Sequence, residues 1–123
     1  MKMILIDVEK IHVDLVDVNG LDDYYKYIGC RCIDIVRRNI GGLPVEIICD
    51  DEGLLVNNPK PSAFDMDGQP TLFGNLLIAS GRVVDGELTE LTVEEMLHIS
   101  EYFGVITNEN LDDAYIGIGG ITY

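Results

Sequence analysis

Three segments decide the fold: Glu46–Leu55 (E-I-I-C-D-D-E-G-L-L), Leu72–Ser80 (L-F-G-N-L-L-I-A-S) and Leu88–Phe103 (L-T-E-L-T-V-E-E-M-L-H-I-S-E-Y-F). The first opens on a short apolar run closed by a polar turn, and the second is apolar almost throughout. Runs of that length without alternation read as strands buried on both faces. The third segment is helical. Thr92 and Glu95 have the S/T-x-x-E spacing of a capping box, in which each side chain holds the other residue's backbone N–H. Leu91 and Met96 stand at the hydrophobic-staple positions around it. Val93, Met96, Leu97, Ser100 and Phe103 are the expected inner face of this helix.

Further strands lie on the N-terminal side. Met3–Val8 and Ile11–Val18 read as a hairpin through Glu9-Lys10, with a bulge expected where the alternation slips at Val16. Asn19 then suits an N-cap, followed by Asp22 and Asp23 near the positive end of a short helix. Leu21, Tyr24, Tyr25 and Ile28 form its apolar stripe, and Gly29 ends it where positive φ costs little. Cys32–Arg38 is a strand with Ile33 and Ile35 on one face, and Gly41-Gly42 turns it into Val45–Cys49, an antiparallel partner. Residues 53–71 read as an irregular loop, since Asn57, Asn58, Pro59, Pro61, Asp65, Gly68 and Pro70 all discourage regular structure. The expected architecture is α+β: a mostly antiparallel mixed sheet of about five strands, with two helices packed on one face. Residues 1–103 form a single α+β domain, and 104–123 a Gly-rich C-terminal strand or arm. There is no internal repeat.

With 123 residues and 47% apolar content, the chain is one domain long and rich enough to build its own core. Its 22 acids against 8 lysines and arginines give a net charge of −14. Such a surface repels phosphate backbones and anionic lipid, so direct binding to nucleic acid or membrane is disfavoured. It serves solubility, and it also suits a protein groove built for nucleic acid. The three cysteines have no paired spacing and read as reduced thiols, which points to the cytoplasm. No apolar run approaches the ~20 residues of a membrane span.

Chemical motifs are sparse. Cys30, Cys32 and Cys49 would need His12 or His98 to complete a zinc set, and nothing in the spacing favours that. Cys, His and Asp are present without the arrangement that makes a nucleophile. Asp65-Met66-Asp67-Gly68 misses the glycine position of a calcium loop. Gly117-x-Gly119-Gly120 lacks the third glycine and the helix of a dinucleotide fingerprint. No catalytic residue, metal or cofactor is expected, and the protein reads as a non-enzyme. One basic segment interrupts the acidity: Lys26, Arg31, Arg37 and Arg38 stand against a single acid, Asp34. Arginine makes bidentate contacts to phosphate, and aromatic side chains supply stacking. A pocket for a nucleotide-like anion would therefore draw on Arg31, Arg37 and Arg38, with Asn58, Phe64, Phe73 and Asn75 from the long loop and its end. The plainer alternative is that these arginines neutralise neighbouring carboxylates.

The order of several short motifs resembles the DUF3846 family. They are the M-K-M-I-L-I start, a helix ending in Y-I-G (Tyr27–Gly29), the C-D-D-E-G turn (Cys49–Gly53) and N-P-K-P-S-A (Asn58–Ala63), then G-N-L-L-I (Gly74–Ile78) and L-T-V-E-E (Leu91–Glu95). The resemblance covers residues 1 to about 103 and implies a small domain of bacteriophages and of mobile elements in gut bacteria, working in the cytoplasm of a bacterial host cell. It carries no catalytic residue. In that setting the expected role is a counter-defence factor that sequesters a nucleotide-derived anionic signal. The alternative is an acidic protein of the DNA-mimic type that inhibits a host defence protein. A homo-oligomer is expected, with the Gly-rich tail reaching a neighbouring subunit. The capping box gives the first test: Thr92→Ala should lower stability by about 1 kcal/mol in a denaturant titration, and an unchanged midpoint would remove this helix start.

Overall fold

The structure is a computed structural model and describes residues 1–53, 55, 59–107 and 114–123. Its centre is three neighbouring strands, β1 (Lys2–Asp7), β7 (Leu76–Ser80) and β4 (Leu43–Asp50), each pair antiparallel. Side chains alternate across a strand, and here both sides are filled. Ile4, Ile6, Val45, Ile47, Cys49, Leu76 and Ile78 enter one cluster, while Met3, Leu5, Ile48, Leu77 and Ala79 enter another on the opposite face. This is why the sequence shows continuous apolar runs here in place of alternation.

The sheet extends from this centre in both directions. β2 (His12–Asp17) closes one end against β1. On the other side β4 pairs with β3 (Ile33–Ile40) through the Gly41-Gly42 turn, as the sequence indicated. Beyond β3 lie β11 (Ala114–Thr122), β5 (Pro61–Asp65) and β6 (Pro70–Phe73). β10 (Phe103–Thr107) pairs with the first half of β11, on the side where β3 pairs with its end. Only the β11–β5 pairing is parallel. The protein is thus α+β with a mixed sheet, but among the described residues that sheet has nine strands in place of about five. A separate small hairpin, β8 (Val83–Val84) and β9 (Glu87–Leu88), turns through Asp85-Gly86, both at positive φ.

The helices do not share a face. α1 (Leu21–Ile28) puts Ile28, Tyr24 and Tyr27 on the second cluster, whereas α2 (Val93–Ser100) puts Ile99 and Met96 on the first. A sheet with two apolar faces needs a cover on each. The N-cap of α1 is Gly20 and not Asn19; the Asn19 N–H instead donates to the Asp23 carboxylate at 2.8 Å. Leu21 is exposed, so the working stripe is Tyr24, Tyr27 and Ile28. α2 begins at the expected capping box: the Glu95 N–H donates to Thr92 Oγ1 and the Thr92 N–H to Glu95 Oε1. Arg82 also bonds Glu95, at 3.0 Å. Burial alone would raise the Glu95 pKa, but the Arg82 and Thr92 hydrogen bonds outweigh it and hold the carboxyl below its usual range. That contribution is present above the ordinary glutamate value and fades as pH falls through the lower folded one.

Other expectations need correction for physical reasons. The β1–β2 register runs unbroken from Lys2↔Asp17 to Asp7↔His12, so there is no bulge at Val16. The slip arises because Val16 serves one face of the sheet and Leu15 the other. Residues 61–73 are not loop but the β5–β6 hairpin. Pro61 and Pro70 open their strands, and β6 lies at the sheet edge, where proline is tolerated. The Asp65 carboxylate accepts N–H bonds from Asp67 and Gln69, both at 2.9 Å, so the acids that resembled a calcium loop organise a tight turn. Leu72–Ala79 is not one strand: Gly74, at positive φ, divides β6 from β7. The inner face of α2 is Met96 and Ile99, while Val93 and Leu97 are exposed.

The glycines near the end of the chain have a packing role. Tyr102 follows α2, and its ring lies across the backbone of Gly41 and Gly120, where a Cβ at either position would overlap it. The Gly41 N–H donates to the Gly120 carbonyl, and the Gly119 N–H to the Tyr102 carbonyl. His98 sits 5.5 Å from Tyr102, ring to ring, and its Nε2 lies 2.9 Å from the Ile40 carbonyl. This cluster ties α2, the β3–β4 turn and β11 together. Gly120→Ala should destabilise the fold by about 1–3 kcal/mol, because it adds both a clash and a strained positive φ; denaturant unfolding measures it, and a neutral substitution would remove the cradle.

Candidate functional site

The basic segment does not assemble the expected pocket. Arg31 is exposed in the turn before β3, about six residues and so roughly 20 Å along the chain from Arg37. Arg37 is already engaged: its Nε lies 3.3 Å from the carboxylate of Glu46, its cross-strand partner. Arg38 points to the opposite face. Its guanidinium stacks 4.2 Å from the centre of the Tyr123 ring and donates to the Arg37 carbonyl at 2.8 Å. Arg37, Arg38 and Tyr123 do line one cavity, of about 220 Å³. Arg38 Nε is buried and has no hydrogen-bond partner among the described residues.

Phe64 and Phe73 sit on β5 and β6, two and three strands beyond β3. Asn75 serves the fold. Its Oδ1 accepts the Val8 N–H and its Nδ2 donates to the Tyr27 carbonyl, both at 3.0 Å, which ties the end of β1 to the end of α1. Asn58 lies outside the described residues. Of the six described side chains, Arg37 and Arg38 share a cavity although they leave β3 on opposite faces.

Of the three free cysteines, Cys32 is exposed, whereas Cys30 and Cys49 are set back from the surface. Burial pushes the Cys49 thiol up to about 11, with Asp34 and Asp50 adding to the shift. Burial and the nearby Asp50 also raise Cys30. Both thiols are thus held in the protonated, unreactive form at neutral pH. No group of three or more His, Cys, Asp or Glu is placed to hold a metal ion among the described residues. No helix among them is long and apolar enough to cross a membrane.

The distinctive surface lies elsewhere. Between β2 and α2 runs an open groove of about 400 Å³, lined mainly by Val13, Leu15, Val93, Met96, Leu97 and Phe103. Ile4 of β1 forms its floor. Leu15 is 45% exposed, Val93 70% and Leu97 63%, so large apolar side chains face water together. No lysine or arginine is among the described lining residues, whereas Asp14 is. The groove exists because α2 reaches across the first cluster without covering β2. Sequence reasoning missed it, although two signals could have found it. α2 carries more apolar positions than one buried stripe requires, and β2 is apolar on both faces although it ends the sheet.

A sequence model of the family described as "Domain of unknown function (DUF3846)" matches residues 1–104. The chain belongs to the DUF3846 family. No curated protein and no solved structure matches it. Both walls of the groove, β2 and α2, fall within the span matched to DUF3846, and so do Arg37 and Arg38. β11, which fills the slot between β3 and β5, falls outside it.

Proposed function

We propose that this DUF3846 protein acts by binding another protein, without chemistry of its own, and that the β2–α2 groove receives a segment bearing apolar and basic residues. The observation that carries this reading is the grouping of Leu15, Val93 and Leu97, all exposed, along one concave strip of a chain with a net charge of −14. Contiguous exposed apolar surface marks interaction sites. Asp14 beside it and the net charge of −14 favour a basic partner and raise its rate of encounter. The phage and mobile-element setting that the family resemblance implies makes a basic host defence protein the first class of partner to test.

Peptides selected from a random library against the full chain should combine Lys or Arg with apolar residues. Leu97→Lys should weaken them about tenfold or more in calorimetry. The melting temperature should hold, because an exposed position contributes little to the core. Selected peptides that bind this variant as well as the parent would overturn the groove.

A second reading, sequestration of a small nucleotide-like anion, is favoured by one observation. Arg38, whose buried Nε has no hydrogen-bond partner among the described residues, lines the cavity shared with Arg37 and Tyr123. A nucleotide panel followed by melting temperature should then show a stabilising ligand whose effect disappears in Arg38→Gln. A panel without any stabilising member, or one whose effect survives that substitution, removes this reading.

A further inference from the structure

The groove lies along an open edge of the sheet, and this determines the shape of what it receives. β2 ends the strand order, and β1 is its one strand partner among the described residues. In an antiparallel strand each residue turns its N–H and C=O to the same side, and successive residues alternate. The Val18 N–H donates to the Met1 carbonyl at 2.9 Å, so the even positions face β1. The backbone groups of Val13, Leu15 and Asp17 therefore face outward. In agreement, the Leu15 N–H donates to the carboxylate of Asp14, its own neighbour, at 2.8 Å. That acid covers a backbone group that no strand pairs. The side chains of Val13 and Leu15 lie on the face of Ile4 and Ile6, toward α2.

We infer that the partner segment is extended and adds to β2 as a further strand, its alternate apolar side chains entering the groove against Leu15, Met96 and Leu97. Its lysines or arginines, at the intervening positions, lie on the other face of the sheet and meet Asp14, which pairs with Leu5 there. This mode joins main-chain hydrogen bonds for affinity with side-chain pockets for specificity. It deepens the groove reading and rests on it. As the strand arrives, Asp14 releases the Leu15 N–H and gains a cation in exchange. A helical occupant would leave the outward groups of β2 unused. A second copy of this chain would bring another edge bearing Asp14 and Asp17 alongside the first, between two molecules that each carry −14.

The test uses a short capped peptide of alternating lysine and valine against the full chain. Two twins are methylated on the backbone nitrogens of either the lysines or the valines. The parent peptide should bind and slow hydrogen exchange at the Leu15 amide. One twin should lose about tenfold or more in affinity while the other keeps it, because only one set of N–H groups faces β2. Twins that both bind like the parent overturn strand addition. If binding then still falls in Leu97→Lys, the groove reading survives alone. It also survives alone, and strand addition is overturned, if a basic amphipathic helical peptide binds in a Leu97-dependent way and the alternating peptide does not bind. Failure of both peptides to bind sinks both readings. Slowed exchange at Leu15 that grows with protein concentration, without peptide, would show self-pairing and overturn the inference.

Discussion

Leu77 and Ile78 are adjacent on β7, point to opposite sides of the sheet and are both fully buried, each in a different core. β1 and β4 repeat this condition on either side of β7. A side chain of this kind contributes roughly 1.5–3 kcal/mol when removed from water, so neither face of the central strands can be left open. The other elements answer that demand. α1 covers one face. α2, with β5 and β11 curling over, covers the other. The separation of the helices, the extra strands and the glycine-lined seat for Tyr102 all follow from a sheet that is apolar on both sides.

The sequence made the centre of the fold legible and left its periphery obscure. The apolar runs of β4 and β7, the Gly41-Gly42 turn and the Thr92–Glu95 capping box are local signals, and each is found as expected. The β5–β6 hairpin was hidden because Pro61 and Pro70 signal irregularity unless the strand position is known. The placement of the helices was hidden because a two-faced sheet does not announce which cover takes which face. The inner face of α2 was misread for a related reason: Val93 and Leu97 have core chemistry, and only tertiary placement shows that nothing covers them.

Of the candidate site, less was visible. The basic segment stood out in composition, yet β3 alternation sends Arg37 and Arg38 to opposite faces, and Glu46 already engages Arg37. Asn75 is expected from the sequence to contact an anionic ligand. Its role is to satisfy two backbone groups where β1, α1 and β7 converge. The groove was legible only as a surplus of apolar residues on β2 and α2, a signal that resembles ordinary core until the sheet order shows β2 to be an edge.

The position of β11 bears on how the molecule is made. β11, which follows all the other described strands in sequence, is an interior strand of the sheet, lying between β5 and the elements β3 and β10. A chain emerging from the ribosome therefore carries two unpaired strand edges and an incomplete first core until β11 is free to join them. Folding must close on contacts distant in sequence, which slows it and prolongs the exposure of apolar edges. A net charge of −14 repels other nascent copies during that interval, so the acidity guards the unfinished sheet against its own kind.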